Sequence, residues 1–494
     1  MGASLEEEIK KRRTFAIISH PDAGKTTLTE KFLLYGGAIN TAGSVKGKAN
    51  SKYAVSDWME IEKERGISVT SSVLQFNYDG YCINILDTPG HQDFSEDTYR
   101  TLMAADSAVM VIDASKGVEA QTIKLFKVCV MRHIPIFTFI NKMDLEARDS
   151  FELLDEIENV LGIRTCPINW PIGAGKRFKG VYDRDTKKVS MFQAVSVGGA
   201  KSAAETDYDV TDPALKDAVG DELYAQLMDE IELLDGASDE FDQELVDKGE
   251  LSPVFFGSAL TTFGVQTFLE HFLKMTQSPL PRMSDAGLID PITEPFSGFV
   301  FKIQANMNKA HHDRIAFMRI SSGKFDATKE VYHVQSGRKL RLSQPQQIMA
   351  QERKIVEEAY AGDIIGVFDP GIFSIGDTVC LPKDDFEYEG IPTFAPEHFA
   401  RVIQLDSMKR KQFVKGVEQI AQEGAIQIFQ EHEAGFAEII VGVVGTLQFD
   451  VLKYRLENEY NCEIRLEPLP YQAIRWIKDR NTCLLYTSPS PRDA

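Results

Sequence analysis

The stretch "SHPDAGKT" at residues 19–26 constrains this chain most strongly, because it nearly fits the phosphate-loop pattern G-x-x-x-x-G-K-[ST]. It follows the apolar run "TFAIIS" and precedes "TTLTEKFLLY", in which the apolar residues have helical spacing. Strand, loop and helix in that order are the context that a phosphate loop requires. Ser19 replaces the first glycine of the pattern, and its small side chain is acceptable there if its φ angle is negative.

Three residues of this loop have the chemistry of nucleotide binding. Gly24 lets the backbone approach the phosphates, Lys25 supplies a positive charge to the β and γ groups, and Thr26 offers a hydroxyl to Mg²⁺. Taken alone, the motif could also be a polar turn between a strand and a helix. It also leaves the identity of the nucleotide undecided.

Two further motifs follow apolar strands, and the second of them indicates a guanine nucleotide. In "DTPGH" at 87–91, Asp87 is placed to hold Mg²⁺ through water, and the Gly90 amide is placed to bind the γ-phosphate. In "NKMD" at 141–144, Asp144 is placed to accept hydrogen bonds from the N1 and N2 hydrogens of guanine, which adenine does not present. A buried carboxylate left unpaired by adenine would reject that base.

The remaining contacts come from the same motifs and from "SAL" at 258–260, which can present a backbone amide to the guanine O6. Asn141 and Lys142 would support the edge and the face of the ring. The expected GTP- or GDP-binding residues are Ser19, His20, Pro21, Asp22, Ala23, Gly24, Lys25, Thr26, Thr27, Asp87, Thr88, Pro89, Gly90, His91, Asn141, Lys142, Met143, Asp144, Ser258, Ala259 and Leu260.

The alternation of apolar strands and helices through this part of the chain predicts an α/β fold with a doubly wound, mostly parallel sheet. A length of 494 residues suggests about three domains. Residues 205–250 hold 17 Asp or Glu against two Lys, which predicts an acidic, helix-rich insertion. We expect a GTP-binding domain at 1–278 with that insertion near 160–250, a linker at 279–296, a β-barrel domain at 297–387 and a ferredoxin-like α+β domain at 396–480.

Charge and hydropathy limit the partners. A net charge of −20 argues against non-specific affinity for nucleic acid, but local basic patches could still meet a ribonucleoprotein. The candidate patches are residues 10–13 and 409–415, although a run of this kind is more often just a solvated helix face. The apolar runs are far shorter than the roughly 20 residues that span a bilayer. We therefore expect a cytoplasmic protein without a membrane partner.

The ordered set "SHPDAGKTT", "ERGIS", "DTPGH", "NKMD" and "SAL" resembles the translational GTPases. Longer strings such as "SDWMEIEKERGIS" and "VGVVGTLQFDVL" are similar to the bacterial peptide chain release factor 3 family, and this resemblance runs from about residue 10 to 477. It implies a GTPase stimulated by the ribosome, including its RNA. The family role is to promote dissociation and recycling of decoding release factors after peptide release. It further implies a monomer off the ribosome.

The resemblance also assigns roles to individual residues. His91 matches the catalytic histidine that orients the attacking water, organised by ribosomal RNA, and Ser68 matches the effector-loop hydroxyl that ligates Mg²⁺ together with Thr26 and Asp87. Residues 36–67 would form a switch loop that the γ-phosphate orders, although a surface loop without function is the alternative. Asp22 would help hold a monovalent cation, or is an ordinary turn aspartate.

Three alternatives stay open at this point. The chain could be a shortened translocation-factor or ribosome-protection GTPase, or a nucleotide-binding scaffold without meaningful turnover. The tail at 481–494 reads as non-native and disordered, which would leave the third domain truncated; its rival is a genuine but divergent tail.

Overall fold

The structure, a computed structural model, describes residues 4–38, 62, 68–193, 204–305, 314–349, 352–382, 384–430 and 439–474. The expected tail at 481–494 lies outside these ranges, as does most of the expected switch loop at 36–67. The chain divides into two units. The first comprises Met1–Pro392 with Gln422–Gly424, and the second comprises Thr393–Ala421 with Ala425–Ala494.

The first unit begins with a seven-stranded sheet in the order β2-β3-β1-β4-β5-β11-β6. All neighbouring strands in it are parallel except β2 and β3, which pair antiparallel. This arrangement confirms the predicted doubly wound, mostly parallel sheet. The strands are β1 (Arg12–Ser19), β2 (Ser72–Tyr78), β3 (Tyr81–Asp87), β4 (Ser107–Asp113), β5 (Ile136–Asn141), β6 (Arg164–Pro167) and β11 (Leu251–Phe256).

Helices cover both faces of this sheet, as its buried strands require. Successive residues of β1 alternate between two hydrophobic clusters, because side chains along a strand point to opposite faces. Phe15 and Ile17 join one cluster, and Ala16 and Ile18 join the other. The helices around the sheet are α1 (Leu5–Lys10), α2 (Lys25–Tyr35), α3 (Ser95–Leu102), α4 (Ala120–Met131), α5 (Ser150–Leu161) and α9 (Val265–Met275).

The segment between β6 and β11 contains the predicted acidic helices and also a sheet that the sequence did not predict. The longest of these helices is α7, which ends at Ala237. Four strands pair antiparallel in the order β10-β9-β8-β7. These strands are four to six residues long, too short for a clear period-two pattern. The elements are β7 (Asn169–Ile172), β8 (Gly180–Asp183), β9 (Lys188–Gln193), β10 (Ala204–Asp209), α6 (Pro213–Val219), α7 (Asp221–Ala237) and α8 (Gln243–Asp247).

The predicted β-barrel domain consists of antiparallel strands, eight of them in the order β18-β17-β23-β14-β15-β22-β19-β20. Their inward side chains, such as Val300, Met318 and Val367, form a hydrophobic cluster of their own. The strands of this part are β12 (Arg282–Ser284), β13 (Gly287–Ile289), β14 (Ser297–Ala305), β15 (Arg314–Ser322), β16 (Lys324–Asp326), β17 (Val331–His333), β18 (Arg338–Leu340), β19 (Ser343–Met349), β20 (Glu352–Ile355), β21 (Glu358–Tyr360), β22 (Ile364–Phe368) and β23 (Thr378–Cys380).

Buried polar contacts join these β strands to the parallel sheet within the first unit. The carbonyl oxygen of Gly362 accepts hydrogen bonds from Thr14 Oγ1 at 2.6 Å, Asn84 Nδ2 at 3.1 Å and Arg319 Nη1 at 2.7 Å. Arg12 also pairs with Asp363, with 2.8 Å between Nε and Oδ2. These contacts correct the basic patch expected at residues 10–13, because Arg12 and Arg13 are buried rather than presented to a partner.

The second unit has the predicted β-α-β-β-α-β order and a four-stranded antiparallel sheet in the order β25-β26-β24-β27. This strand order is that of a ferredoxin-like unit. Phe413 and Val417 from one helix and Leu452 from the other pack on the sheet. The elements are β24 (His398–Gln404), α10 (Arg410–Gln422), β25 (Gln427–Phe429), β26 (Ile439–Val443), α11 (Leu447–Asn458) and β27 (Ile464–Leu469). In the described ranges, no helix has the length and apolar character needed to cross a membrane.

Candidate functional site

The phosphate loop connects the buried end of β1 to the first turn of α2, at the carboxyl edge of the parallel sheet. In open parallel sheets this edge is where ligands bind. The loop backbone takes left-handed conformations at Asp22, with φ of 65°, and at Gly24, with φ of 98°. Such turns point successive amide groups into one concavity that suits an anion. Ser19 has no positive φ, so it meets the condition set for a replaced first glycine.

Asn141 ties the phosphate loop to the "SAL" loop. Its Nδ2 donates to the carbonyl oxygen of Ala23 at 2.8 Å, and its Oδ1 accepts from the Ala259 amide at 2.8 Å. The side chain is 2 % exposed. In this geometry Asn141 connects two loops that were both predicted to contact the nucleotide, a connection that the sequence did not reveal. Its direct support of the base stays a prediction.

Two features require glycine at position 24: its φ of 98° and its close approach to the side chain of Asn141. A Cβ added at Gly24 would lie 2.2 Å from Asn141 Nδ2. We therefore expect Gly24→Ala to displace Asn141 and to weaken GDP and GTP binding by at least about tenfold. Titration with a fluorescent guanine nucleotide measures this effect.

The matched control for that variant is Gly80→Ala, since Gly80 has a similar φ of 79° but no atom of the described chain within 4 Å of the added Cβ. This variant should lose stability through backbone strain of roughly 1–2 kcal/mol and keep its nucleotide affinity. Equal nucleotide affinity in the two variants would show that the Gly24–Asn141 approach is not needed for binding.

Lys142 forms a second hydrogen-bonded contact with the phosphate loop. Its Nζ donates to the carbonyl oxygen of Asp22 at 2.6 Å and to Asp113 Oδ2 at 2.7 Å. Burial raises the pKa of Asp113, but hydrogen bonds from Lys142 and Ser115 outweigh it and hold that pKa below its ordinary value. Asp113 was not predicted as a site residue; a carboxylate at the end of the wholly buried strand β4 was the available signal.

Asp144 was predicted to read guanine, and this role stays a prediction. Its Oδ1 atom is buried and has no hydrogen-bond partner in the part of the chain that the structure describes. A buried carboxylate oxygen without a donor is unfavourable, so a ligand that supplies N–H groups there is stabilised. The imide and amino hydrogens of guanine are such donors.

In the "SAL" loop, the structure shows which backbone amides already have hydrogen-bond partners. The Ser258 amide donates to Phe263 O at 2.8 Å, and the Ala259 amide is held by Asn141. The predicted amide contact to the base therefore falls on Leu260, which is 67 % exposed. That contact stays a prediction.

The "DTPGH" segment lies against the phosphate loop. Lys25 Nζ contacts Asp87 Oδ1, and both side chains are buried. Thr88 Oγ1 donates to the carbonyl oxygen of Ile17 at 2.7 Å, which anchors the segment on β1. A Cβ built at Gly90 would lie 3.5 Å from Pro21 Cα, so the two loops face each other closely.

His91 has a defined orientation at the end of this segment. Its Nδ1 accepts a hydrogen bond from the Asp93 amide at 3.2 Å, which begins the short 3₁₀ turn Gln92–Phe94. The same ring nitrogen lies 3.5 Å from Asp93 Oδ1, so Asp93 holds this edge of the imidazole through both its amide and its carboxylate. The side chain is 31 % exposed, so the ring can meet a water molecule.

The donors available for Mg²⁺ suit that ion. Among the described residues, no group of three or more His, Cys, Asp or Glu could hold a metal. Mg²⁺ often binds through one carboxylate, hydroxyls, waters and substrate phosphates. Thr26, Ser68 and Asp87, which were predicted to hold the ion, offer two hydroxyls and one carboxylate, which are ligands of this chemical type; their assignment stays a prediction. The monovalent cation expected near Asp22 stays a prediction.

Comparison with known protein families gives matches along most of the chain. Three family models match it: the elongation factor Tu GTP binding domain at residues 10–278, the elongation factor G domain 2 at 295–381 and the C-terminal domain of class II release factor RF3 at 388–488. A crystal structure of a protein from Thermus thermophilus has a TM-score of 0.74 at 22 % identity, covering 92 % of this chain and 67 % of that one. This similarity supports the fold alone.

Curated relatives are much closer in sequence. Peptide chain release factor 3 of Symbiobacterium thermophilum is 62 % identical over 96 % of this chain and 90 % of its own length. The protein of the same name from Gloeobacter violaceus is 56 % identical over 96 % of this chain and 89 % of its own length. The chain therefore belongs to the peptide chain release factor 3 family of translational GTPases.

Proposed function

We propose that this GTPase of translation termination hydrolyses GTP on the ribosome and thereby promotes dissociation and recycling of decoding release factors after peptide release. The observation that carries the proposal is a continuous set of contacts from the loop proposed to bind guanine, through the phosphate loop, to the "DTPGH" segment proposed for hydrolysis. Asp144 Oδ1, buried and without a partner among the described residues, lies on the loop that begins at Asn141, and Asn141 holds the phosphate loop. Lys25 of that loop contacts Asp87 of "DTPGH".

The proposed chemistry is mainly positioning and electrostatic stabilisation, which phosphoryl transfer requires. Lys25 and the loop amides neutralise the phosphate oxygens, and the Gly90 amide binds the γ-phosphate. His91 orients the attacking water and stabilises developing charge. Mg²⁺ would supply positive charge that offsets the negative charge of the phosphates. Thr26, Ser68 and, through water, Asp87 would hold it.

The ribosome, including its RNA, is the partner expected to complete this site by organising His91. Decoding release factors are the proteins whose dissociation from the ribosome the chain is proposed to promote. Off the ribosome the chain is proposed to be a monomer, and the site of translation would place it in the cytoplasm. A monovalent cation near Asp22 belongs to the same proposal.

The test combines GTP turnover with factor recycling. Purified ribosomes should stimulate hydrolysis by about 10³-fold or more, the range that partner activation supplies in GTPases. In ribosome complexes stalled after peptide release, the chain with GTP should speed the departure of a labelled decoding factor. Absence of stimulation would favour a nucleotide-binding scaffold. Stimulation without faster departure would favour a translocation or ribosome-protection role.

A further inference from the structure

Ser71 forms a junction between three parts of the first unit. Its backbone amide and its hydroxyl both donate to Asp97 Oδ2, each at 2.6 Å. Its hydroxyl accepts from Thr101 Oγ1 at 2.8 Å, and its carbonyl oxygen accepts from Lys302 Nζ. Ser71 is 3 % exposed and Lys302 is 5 % exposed, so the junction is shielded from water.

The first part of the junction is the segment that follows the expected switch loop. Ser71 comes three residues after Ser68 and directly before β2. On its other side the segment is held by Glu62, whose Oε1 accepts from the amides of Val69 at 2.9 Å and Thr70 at 3.1 Å. The backbone between Ser68 and Ser71 is therefore fixed by a carboxylate at each end.

The second part is α3, which carries both Asp97 and Thr101 and begins four residues after His91. On the same helix, Thr98 Oγ1 donates to the carbonyl oxygen of Pro89 at 3.2 Å. One turn of α3 thus contacts the "DTPGH" segment through Thr98 and the Ser71 segment through Asp97. The two segments proposed to sense the γ-phosphate are joined through this single helix.

The third part is β14, which carries Lys302 and belongs to the antiparallel domain. A buried ammonium group must keep its acceptor, since losing it leaves a desolvated charge. The position of the Ser71 carbonyl is therefore coupled to the packing of β14. Asp97 controls that position because a charged acceptor binds N–H and O–H donors more strongly than a neutral one.

We infer that Asp97 is a positioning residue for GTP hydrolysis: it holds the Ser71 segment on α3, so that Ser68 and His91 reach their working positions together. Lys302 extends this coupling to β14. The inference rests on the proposed function, because it assumes that Ser68 and His91 respond to the γ-phosphate. It predicts that loss of Asp97 changes the response to GTP and leaves binding of GDP intact.

The test is Asp97→Ala, with affinity for GDP, affinity for a non-hydrolysable GTP analogue and ribosome-stimulated kcat measured on the full chain. We expect the GDP affinity to change less than about twofold and the analogue affinity to fall about 5- to 30-fold, as typical coupling energies allow. The stimulated kcat should fall by at least about tenfold. Asp97→Asn keeps the shape of the side chain and an uncharged hydrogen-bond acceptor, so it should lower the analogue affinity and the stimulated kcat by smaller factors. This variant replaces Asp97→Ala in the test if the alanine variant does not fold.

The matched control is Asp149→Ala. Asp149 also accepts two hydrogen bonds with one oxygen, from the amides of Phe151 at 2.9 Å and Glu152 at 3.1 Å, but it caps α5. This control should lower the melting temperature and leave the ratio of the two nucleotide affinities unchanged. Equal weakening of both nucleotides in Asp97→Ala, or a change confined to melting temperature, would make Asp97 merely structural and overturn the inference.

Variants of Ser71 and of Lys302 test whether the contacts of these two residues with their partners contribute to the coupling. Ser71→Thr keeps the hydroxyl and should retain the wild-type affinity ratio, whereas Ser71→Ala should not. Lys302→Met should keep the affinity ratio but lower the ribosome-stimulated kcat; an unchanged kcat would remove Lys302 from the coupling. If ribosomes fail to stimulate the wild-type chain, the proposed function fails instead, which separates the two conclusions.

Discussion

Asp144→Asn should weaken GTP binding by roughly 10³-fold and confer binding of xanthosine triphosphate, because the amide group donates where guanine also donates. A site built to hydrogen-bond a ligand rejects a mismatched ligand by about 10⁴-fold or more, so the expected loss is large. In xanthine the 2-position carries a carbonyl oxygen, which accepts from the asparagine amide. The buried Asp144 Oδ1, without a donor in the described part of the chain, is the physical basis of this expectation.

Direct titration of each protein with fluorescent GTP and with fluorescent xanthosine triphosphate measures the switch, since a guanine probe alone would bind the variant too weakly. Asp149→Asn is the control, since it makes the same substitution at the cap of α5, where Asn and Asp stabilise a helix start about equally. That control should keep wild-type affinities. Unchanged GTP affinity in Asp144→Asn would mean that the guanine pocket is assigned to the wrong residue.

His91→Ala is the second large expected effect: ribosome-stimulated GTP hydrolysis should fall by about 10³-fold while GDP and GTP affinities stay within about threefold. The rate loss corresponds to the lower range of what partner activation supplies. Binding is preserved because the proposed phosphate and base contacts come from other residues, and Nδ1 of His91 is engaged by the Asp93 amide rather than by a nucleotide-binding residue.

Single-turnover hydrolysis with saturating ribosomes measures this loss, and equilibrium titration measures the affinities. His398→Ala, at an exposed position at the start of β24, controls for removal of a histidine elsewhere. Wild-type turnover in His91→Ala would remove His91 from the mechanism. A loss of GTP binding equal to the loss of turnover would instead make His91 a binding residue.

Local sequence rules predicted that the proposed nucleotide-binding motifs lie at strand ends, because each motif follows a strand of one parallel sheet. Once β1, β3 and β5 are parallel neighbours or lie one strand apart, their carboxyl ends meet at one edge. Ser19, Asp87 and Asn141 end these strands, as the apolar runs before them indicated. The β-α-β-β-α-β order of the second unit was readable for the same reason, since apolar strands and amphipathic helices alternate there.

Other features could not be predicted because they depend on contacts between residues far apart in the chain. The strands of the sheet β10-β9-β8-β7 are short, and pairing between neighbours stabilises them more than any local pattern. The basic run at residues 10–13 looked exposed, yet Arg12 is buried against Asp363 of a different domain. A pattern of charges does not reveal which charges a later part of the chain will cover.

The sequence by itself determined the chemistry that we propose for this protein: the phosphate loop with serine at its first position, the carboxylate proposed to read guanine and the histidine after "DTPG" each follow from residue type and spacing. The tertiary structure alone decided how these parts are connected. Asn141 bridges Ala23 and Ala259, Lys142 bridges Asp22 and Asp113, and Asp97 holds Ser71. The physical reason is that a hydrogen bond needs its two atoms within about 3 Å, and only the folded chain brings such distant residues that close.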